Sequence, residues 1–181
     1  VWRVTQSNID KNILWIGTAN GLCKYDLDKN KFDRVTIKAK IPSQFSYSFS
    51  SVVEQKINGK NILWAASYGG LYKIDLSSNS LDQFVSNTKN ANGLLGNQID
   101  QLLIDRSGVL WIATEKGLNY HSKQSQKFSN IFSLYINESA FQELFNSDIK
   151  GIVNSGYDQF YIASTDALFS LKVSRDFSEV K

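Results

Sequence analysis

The residues that most often carry catalysis or bind metals are scarce in this sequence. One His, His121, and one Cys, Cys23, occur among the 181 residues, so neither a His/Cys zinc site nor an intrachain disulfide can form. A Ser-His-Asp triad would have to use His121, which lies in a predicted strand, and the nucleophile sequence G-x-S-x-G is absent. The glycine-rich phosphate motifs G-x-G-x-x-G and G-x-x-x-x-G-K-[ST] are also absent. We therefore predict a non-catalytic segment that binds neither a metal nor a cofactor.

Charge and composition exclude two further classes of function. The net charge is +3, and the Lys and Arg residues are spread through predicted turns, whereas a nucleic-acid groove needs clustered positive charge. No run approaches the roughly 18 apolar residues that span a bilayer. Hydrophobic residues make up 42% of the chain and aromatic residues 13%, which predicts a folded domain. We expect neither nucleic-acid binding nor direct membrane insertion, and we interpret the absence of Met as the mark of a processed or excised piece.

A repeat of just under 50 residues organises the chain. Aromatic residues stand at positions 15, 64, 111 and 161, in the related runs ILWIGT, ILWAAS, VLWIAT and QFYIAS. Six residues after each aromatic comes Gly-Leu or, in the fourth copy, Ala-Leu. Such a period is typical of repeat architectures. The predicted structural repeat residues are Trp15, Gly21, Trp64, Gly70, Trp111, Gly117 and Tyr161.

Each repeat reads as four short strands separated by turns. Turn sequences such as Asn58-Gly59 precede the aromatic strand, and a more polar fourth strand follows the Gly-Leu strand. Four antiparallel strands per repeat is the pattern of a β-propeller blade, so we predict an all-β propeller. We expect a single propeller segment over 1–181, with repeats at 1–37, 51–85, 99–134 and 149–181. Helical spacing of apolar residues predicts a short helical insertion at 137–146.

The third repeat resembles a known family. Its run GLLGNQIDQLLIDRSGVLWIAT, residues 93–114, is similar to the two-component regulator propeller repeat. The fourth copy departs from that pattern, with Tyr161 for Trp and Ala167 for Gly. The resemblance implies an extracytoplasmic, periplasmic sensor propeller of a Bacteroidetes hybrid two-component histidine kinase, which forms a seven-bladed ring and responds to carbohydrate-derived signals.

The four repeats are fewer than the family's seven. Three arrangements are open: a fragment of a larger propeller, a small closed ring, or two copies that complete one ring. An open partial ring would expose an apolar blade face and strand edges. We favour a fragment, so the expected partners are the remaining blades of the parent propeller or a second copy.

Ligand-binding residues are expected in the loops that gather over one end of a propeller channel. These are the loops between second and third strands and the loops that link blades. Aromatic faces beside amide and carboxylate groups suit sugar rings, so we expect an oligosaccharide or another small molecule there. The candidates are Tyr47, Phe49, Tyr68, Asn97, Gln98, Glu115, Lys116 and Asp166.

Three functional hypotheses follow. The first is a non-catalytic ligand-sensing segment of a hybrid two-component sensor. The second is a structural or protein-interaction propeller of a secreted or surface complex. The third is a lyase or hydrolase, for which Glu115 and Asp166 would supply a carboxylate pair.

Overall fold

Fifteen antiparallel β-strands make up the sheets of the described part of the chain. The computed structural model describes residues 1–37, 46–87, 93–122, 127–130, 144, 147–156 and 158–173. The predicted helical insertion at 137–146 lies outside these residues except for Leu144. The described residues contain no helix long and apolar enough to cross a membrane.

The strands form four sheets in chain order, here called blades 1 to 4. Blade 1 contains β1 (Arg3–Gln6), β2 (Ile13–Thr18), β3 (Gly21–Asp26) and β4 (Lys31–Val35). Blade 2 contains β5 (Phe49–Ile57), β6 (Lys60–Ser67), β7 (Gly70–Asp75) and β8 (Leu81–Phe84). Blade 3 contains β9 (Ile99–Ile104), β10 (Leu110–Thr114), β11 (Gly117–His121) and β12 (Ser129–Asn130). Blade 4 contains β13 (Ile149–Asn154), β14 (Gln159–Ser164) and β15 (Leu168–Lys172).

Each blade is a simple meander in which sequential strands pair antiparallel. The first strand of each blade pairs only with the second, so it forms one edge of the sheet. Blade 2 begins at Phe49, two residues before the predicted start of the second repeat. The turn after β5 places Asn58 and Gly59 at φ values of 49° and 77°, the left-handed conformation that these residue types adopt most readily.

Successive blades pack face to face through three hydrophobic clusters. The cluster between blades 1 and 2 is built around Trp15, and the cluster between blades 2 and 3 around Trp64. Trp111 occupies the same place between blades 3 and 4, in a cluster that also contains Leu144. All three indoles are at least 96% buried, with exposures of 4%, 0% and 1%. Tyr161 differs because it is 39% exposed, on the face of blade 4 that points away from blade 3.

The small residue two positions after each aromatic allows blades to approach closely. A Cβ atom added to Gly17 would lie 2.5 Å from the carbonyl oxygen of Phe49, on the first strand of the next blade. No side chain fits at that distance without a shift of the backbone. Ala66 and Ala113, at the corresponding positions, are fully buried.

His121 is part of the core. Its ring lies 5.4 Å from the Trp64 ring and 5.1 Å from the Phe128 ring, between blades 2 and 3. Burial lowers the pKa of the imidazole, and the positive charge of Lys73 lowers it further. The side chain therefore packs as a neutral aromatic ring.

Candidate functional site

The blade-linking segments and the hairpins between second and third strands meet at one end of the blades. Gly21 N donates to Tyr47 O at 2.7 Å, and Gly70 N donates to Asn97 O at 2.9 Å, so each linker contacts the hairpin of the preceding blade. Glu115 N donates to Gln98 O at 3.1 Å, which joins the second linker to the hairpin of its own blade. The predicted loops therefore share one surface.

The glycine that opens each third strand makes this contact possible. Gly21, Gly70 and Gly117 have φ values of 130°, 118° and 116°. Residues that carry a Cβ atom rarely adopt such values. A Cβ atom at Gly70 would also lie 2.4 Å from the Phe84 carbonyl oxygen. Glycine at this repeated position therefore permits the positive φ and the close backbone packing at the edge of the candidate site.

The first two predicted ligand-binding residues, Tyr47 and Phe49, differ in their exposure to solvent. Tyr47 is 40% exposed and lines a cleft of about 200 Å³ that also contains Gly21 and Arg34. Phe49 is fully buried, and its ring packs 5.6 Å from that of Tyr72. This corrects the prediction for Phe49, because the β-bulge at Ser50 puts its side chain on the same face of β5 as Val52, in the core between blades 1 and 2.

Asn97 and Glu115 hold the linker before blade 3 in place. Asn97 Oδ1 accepts a hydrogen bond of 2.6 Å from Ser86 N, and Glu115 Oε1 accepts one of 3.2 Å from Asn97 N. The Glu115 carboxylate lies directly over Gly96, where an added Cβ would be 2.2 Å from Oε2. Gln98, the next residue of the linker, is half-buried, whereas Lys116 in the hairpin of blade 3 and Asp166 in the hairpin of blade 4 are exposed.

A β-bulge recurs in the first strand of blades 2, 3 and 4. In β5, Phe49 pairs with Ser67 and Ser51 with Ala66, which leaves Ser50 as the extra residue. The same register shift leaves Asp100 unpaired in β9 and Lys150 unpaired in β13. Because a bulge re-aims the extra side chain, the three blades present one such residue each beside the hairpins.

Two of these bulge residues form ion pairs with each other and with a linker residue. Lys150 Nζ lies 3.1 Å from Asp100 Oδ2 and 2.8 Å from Asp148 Oδ2. Burial alone would lower the pKa of the Lys150 ammonium, but the hydrogen bonds to Asp148 and Asp100 outweigh it and raise that pKa. Lys150 is therefore charged at neutral pH.

Tyr68 connects this ion-pair cluster to an exposed indole. Burial raises the pKa of the Tyr68 phenol, and the negative charge of Asp100 raises it further. The Trp2 ring lies 6.3 Å from the Tyr68 ring and is 56% exposed as a residue. We use the name end cluster for Trp2, Tyr68, Asp100, Asp148 and Lys150.

The sequence prediction found only Tyr68 among the five residues of the end cluster. Asp100 and Lys150 are 50 residues apart and directly follow Ile99 and Ile149, so the repeat contained a signal. Strict alternation along a strand did not predict their direction, because a bulge breaks that alternation.

The family comparison matches the third blade. Residues 93–116 match the family model described as two component regulator propeller. The chain contains a two-component regulator propeller repeat. This confirms the predicted resemblance, on the segment that supplies both a blade linker and the hairpin residue Glu115. No curated protein matches the chain.

Solved structures confirm the propeller fold. The extracellular domains of two putative hybrid two component systems from B. thetaiotaomicron are similar over 98% and 100% of this chain, with TM-scores of 0.69 and 0.71 and 18% identity for each. Virginiamycin B lyase from Staphylococcus aureus is also similar, with a TM-score of 0.62 and 11% identity over 98% of this chain and 53% of that protein. This chain spans 24% and 21% of the two extracellular domains, about a quarter of their length.

Proposed function

We propose that this chain is a non-catalytic, ligand-sensing propeller segment in the extracytoplasmic, periplasmic region of a hybrid two-component sensor kinase. The observation that carries the proposal is the two-component regulator propeller repeat at residues 93–116. Its linker and hairpin contribute to the same end of the blades as the end cluster. The likeness to the extracellular domains of hybrid two component systems supports the proposed location.

The proposed ligand is carbohydrate-derived. Trp2 and Tyr68 offer aromatic surface, and Asp100, Asp148 and Lys150 offer charged hydrogen-bonding groups beside it. Saccharide rings present apolar C–H faces edged with hydroxyl groups, so such mixed surfaces suit them. The His121 side chain, an obvious candidate for acid-base chemistry, is buried away from this end.

Calorimetric titration of the protein with a panel of oligosaccharides tests the proposal. We expect at least one oligosaccharide to bind, and we expect Tyr68→Ala to weaken that binding by about tenfold because it removes one stacking surface. Phe32→Ala, at an exposed aromatic residue on β4, is the matched control and should leave the affinity unchanged. Equal affinities for the wild type and Tyr68→Ala would remove Tyr68 from the site, and no binding across the panel would contradict the proposal.

A structural or protein-interaction propeller is the alternative, and two exposed blade faces favour it. Val4 on blade 1 and Val153 and Leu168 on blade 4 are 52%, 56% and 71% exposed. Exposed apolar residues on a sheet face mark a surface that another chain or blade can cover. We propose further blades or a second copy as the occupant, and light scattering across a concentration series distinguishes a monomer from a self-associating chain.

A further inference from the structure

The end cluster takes residues from all four blades, because Trp2 directly precedes β1 of blade 1 and donates its backbone N–H to Gly17 O. Tyr68 comes from the hairpin of blade 2, Asp100 from the bulge of β9, and Lys150 from the bulge of β13. The backbone of Asp148 is joined to the hairpin of blade 4, since its carbonyl oxygen accepts a hydrogen bond of 3.2 Å from Thr165 N. Asp100 and Lys150 therefore stand on strands, and Tyr68 and Asp148 stand on segments joined to neighbouring segments by backbone hydrogen bonds.

The charges of the end cluster sum to one negative charge. Lys150 supplies the only ammonium group of the cluster, and both Asp148 and Asp100 contact it. An anionic ligand would have to compete with two carboxylates for that ammonium and would meet their repulsion at short range. An uncharged ligand meets no such barrier.

Acceptor atoms at this end are in excess of donors. Asp148 Oδ1 is buried and has no hydrogen-bond partner among the described residues. Glu115 Oε2, in the hairpin of blade 3, is also buried and has no hydrogen-bond partner among the described residues. A buried acceptor without a donor costs free energy. The Asp148 side chain as a whole is 34% exposed, so hydroxyl groups of a ligand can donate to this carboxylate.

Aromatic surface borders these acceptors. Trp2 is 56% exposed, and its ring is within 6.3 Å of that of Tyr68. A sugar ring stacked on Trp2 would carry its hydroxyl groups toward the carboxylates, because Tyr68 lies between Trp2 and Asp100.

We propose that the end cluster selects uncharged saccharides over acidic ones, with the bulge residues Asp100 and Lys150 and the linker residue Asp148 as the specificity-determining positions. The proposal rests on the proposed function, since it concerns the ligand of the same surface. Hydroxyl groups of the ligand donate to Asp148, while the carboxylates exclude uronates and sulfated sugars.

Paired oligosaccharides that differ only in the oxidation state of C6 test this selection. Glucose and galactose oligomers are compared with glucuronate and galacturonate oligomers of the same linkage and length, by calorimetry on the protein at low ionic strength. We expect the neutral member of a binding pair to bind at least about tenfold more tightly, since one close like-charge contact is worth about that factor.

Asp148→Asn and Asp33→Asn form the matched pair of variants. Each removes one negative charge from a carboxylate that lies 2.8 Å from a lysine ammonium, but Asp33 is on β4 of blade 1 and lies outside the end cluster. We expect Asp148→Asn to reduce the preference for the neutral oligomer by about tenfold and Asp33→Asn to leave it unchanged. Asp100→Asn should act like Asp148→Asn, and unchanged melting temperatures establish that each variant is folded.

The outcomes separate this inference from the proposed function. If acidic and neutral oligomers bind equally, or if Asp33→Asn changes the preference as much as Asp148→Asn, the selection by the end cluster is wrong while carbohydrate sensing stands. If neither member of any pair binds, both proposals fail. A neutral preference that depends on Asp148 and Asp100 but not on Asp33 supports the inference.

Discussion

The indole Nε1 of Trp15 donates a hydrogen bond of 2.7 Å to Oε1 of Glu54, which lies on the first strand of the next blade. Trp64 and Trp111 instead donate to residues of their own blades, Gln55 at 3.0 Å and Asp105 at 2.8 Å. The same repeat position is therefore satisfied in two ways. Of these three indole hydrogen bonds, the one from Trp15 to Glu54 joins two blades.

Replacement of Glu54 should destabilise the chain strongly. The buried carboxylate also accepts hydrogen bonds of 2.6 Å from Ser7 Oγ and 2.9 Å from Asn8 N. Glu54→Ala leaves these donors and the Trp15 indole unpaired, and we expect it to lower the free energy of unfolding by about 2 to 4 kcal/mol. Urea denaturation measures the change.

Asp33→Ala provides the control for Glu54→Ala. Asp33 is a carboxylate too, but its partner is the Lys31 ammonium at 2.8 Å, and both side chains are more than half exposed, at 52% and 63%. Exposed pairs contribute little, so we expect a loss below about 1 kcal/mol. Equal losses in the two variants would contradict the interblade role of Glu54.

Because of His121, the free energy of unfolding should decrease as the pH is lowered from neutrality. The folded state holds the pKa of His121 below its ordinary value of 6.5, so the unfolded chain binds the proton more readily below that pH. The free energy of unfolding should therefore decrease as pH falls through about 6.5, by at most about 1.4 kcal/mol per pH unit. Denaturation curves at pH 7.5 and 5.5 measure this slope.

His121→Phe should remove most of that slope. The replacement ring would contact the same aromatic partners, Trp64 and Phe128, and carries no titratable group. A slope that persists unchanged in His121→Phe would assign the pH dependence to other groups.

A cleft between blades 1 and 2 offers room for a stabilising substitution. The cleft has a volume of about 580 Å³ and is lined in part by Val35, Ile74 and Leu81. Val35 pairs with Leu22 as Phe84 pairs with Leu71 in the next blade, where the Phe84 ring packs 4.9 Å from that of Phe128. We expect Val35→Phe to fill part of the cleft and stabilise the chain by about 1 kcal/mol.

Thermal unfolding of Val35→Phe, with Val153→Phe as the control, tests whether the added ring fills the cleft. Val153 is a 56% exposed strand residue, so its replacement adds a ring without filling a cleft and should change the melting temperature little. A lower melting temperature for Val35→Phe would show that the space between the blades is too narrow for the ring.

Gly70→Ala should lower the free energy of unfolding more than Gly59→Ala does. Both glycines have positive φ, 118° and 77°, but an added Cβ at Gly59 meets nothing within 4 Å, whereas one at Gly70 meets the Phe84 carbonyl oxygen at 2.4 Å. We expect Gly59→Ala to cost about 1 kcal/mol from backbone strain, and Gly70→Ala to cost about 2 kcal/mol or more. Urea denaturation of both variants is the measurement, and equal costs would contradict a steric role for Gly70.

Local patterns in the sequence determined the blades. The aromatic residues at 15, 64, 111 and 161, the Gly-Leu pairs and the turn sequences repeat in register, and each acts over a few residues. Strand alternation and left-handed turn geometry depend on such short-range sterics, so they can be predicted without the tertiary structure. The third repeat was regular enough to indicate the family as well.

Only the tertiary structure decided which side chains meet. The bulges at Asp100 and Lys150 turn these residues toward Tyr68 and Asp148, although sequence alternation predicts no such direction. Phe49 entered the core instead of the candidate site, and Glu54 became the acceptor for an indole in another blade. The contacts of Asp100 with Lys150 and of Glu54 with Trp15 join residues 50 and 39 positions apart. Their geometry depends on how neighbouring blades pack, which local propensity does not encode.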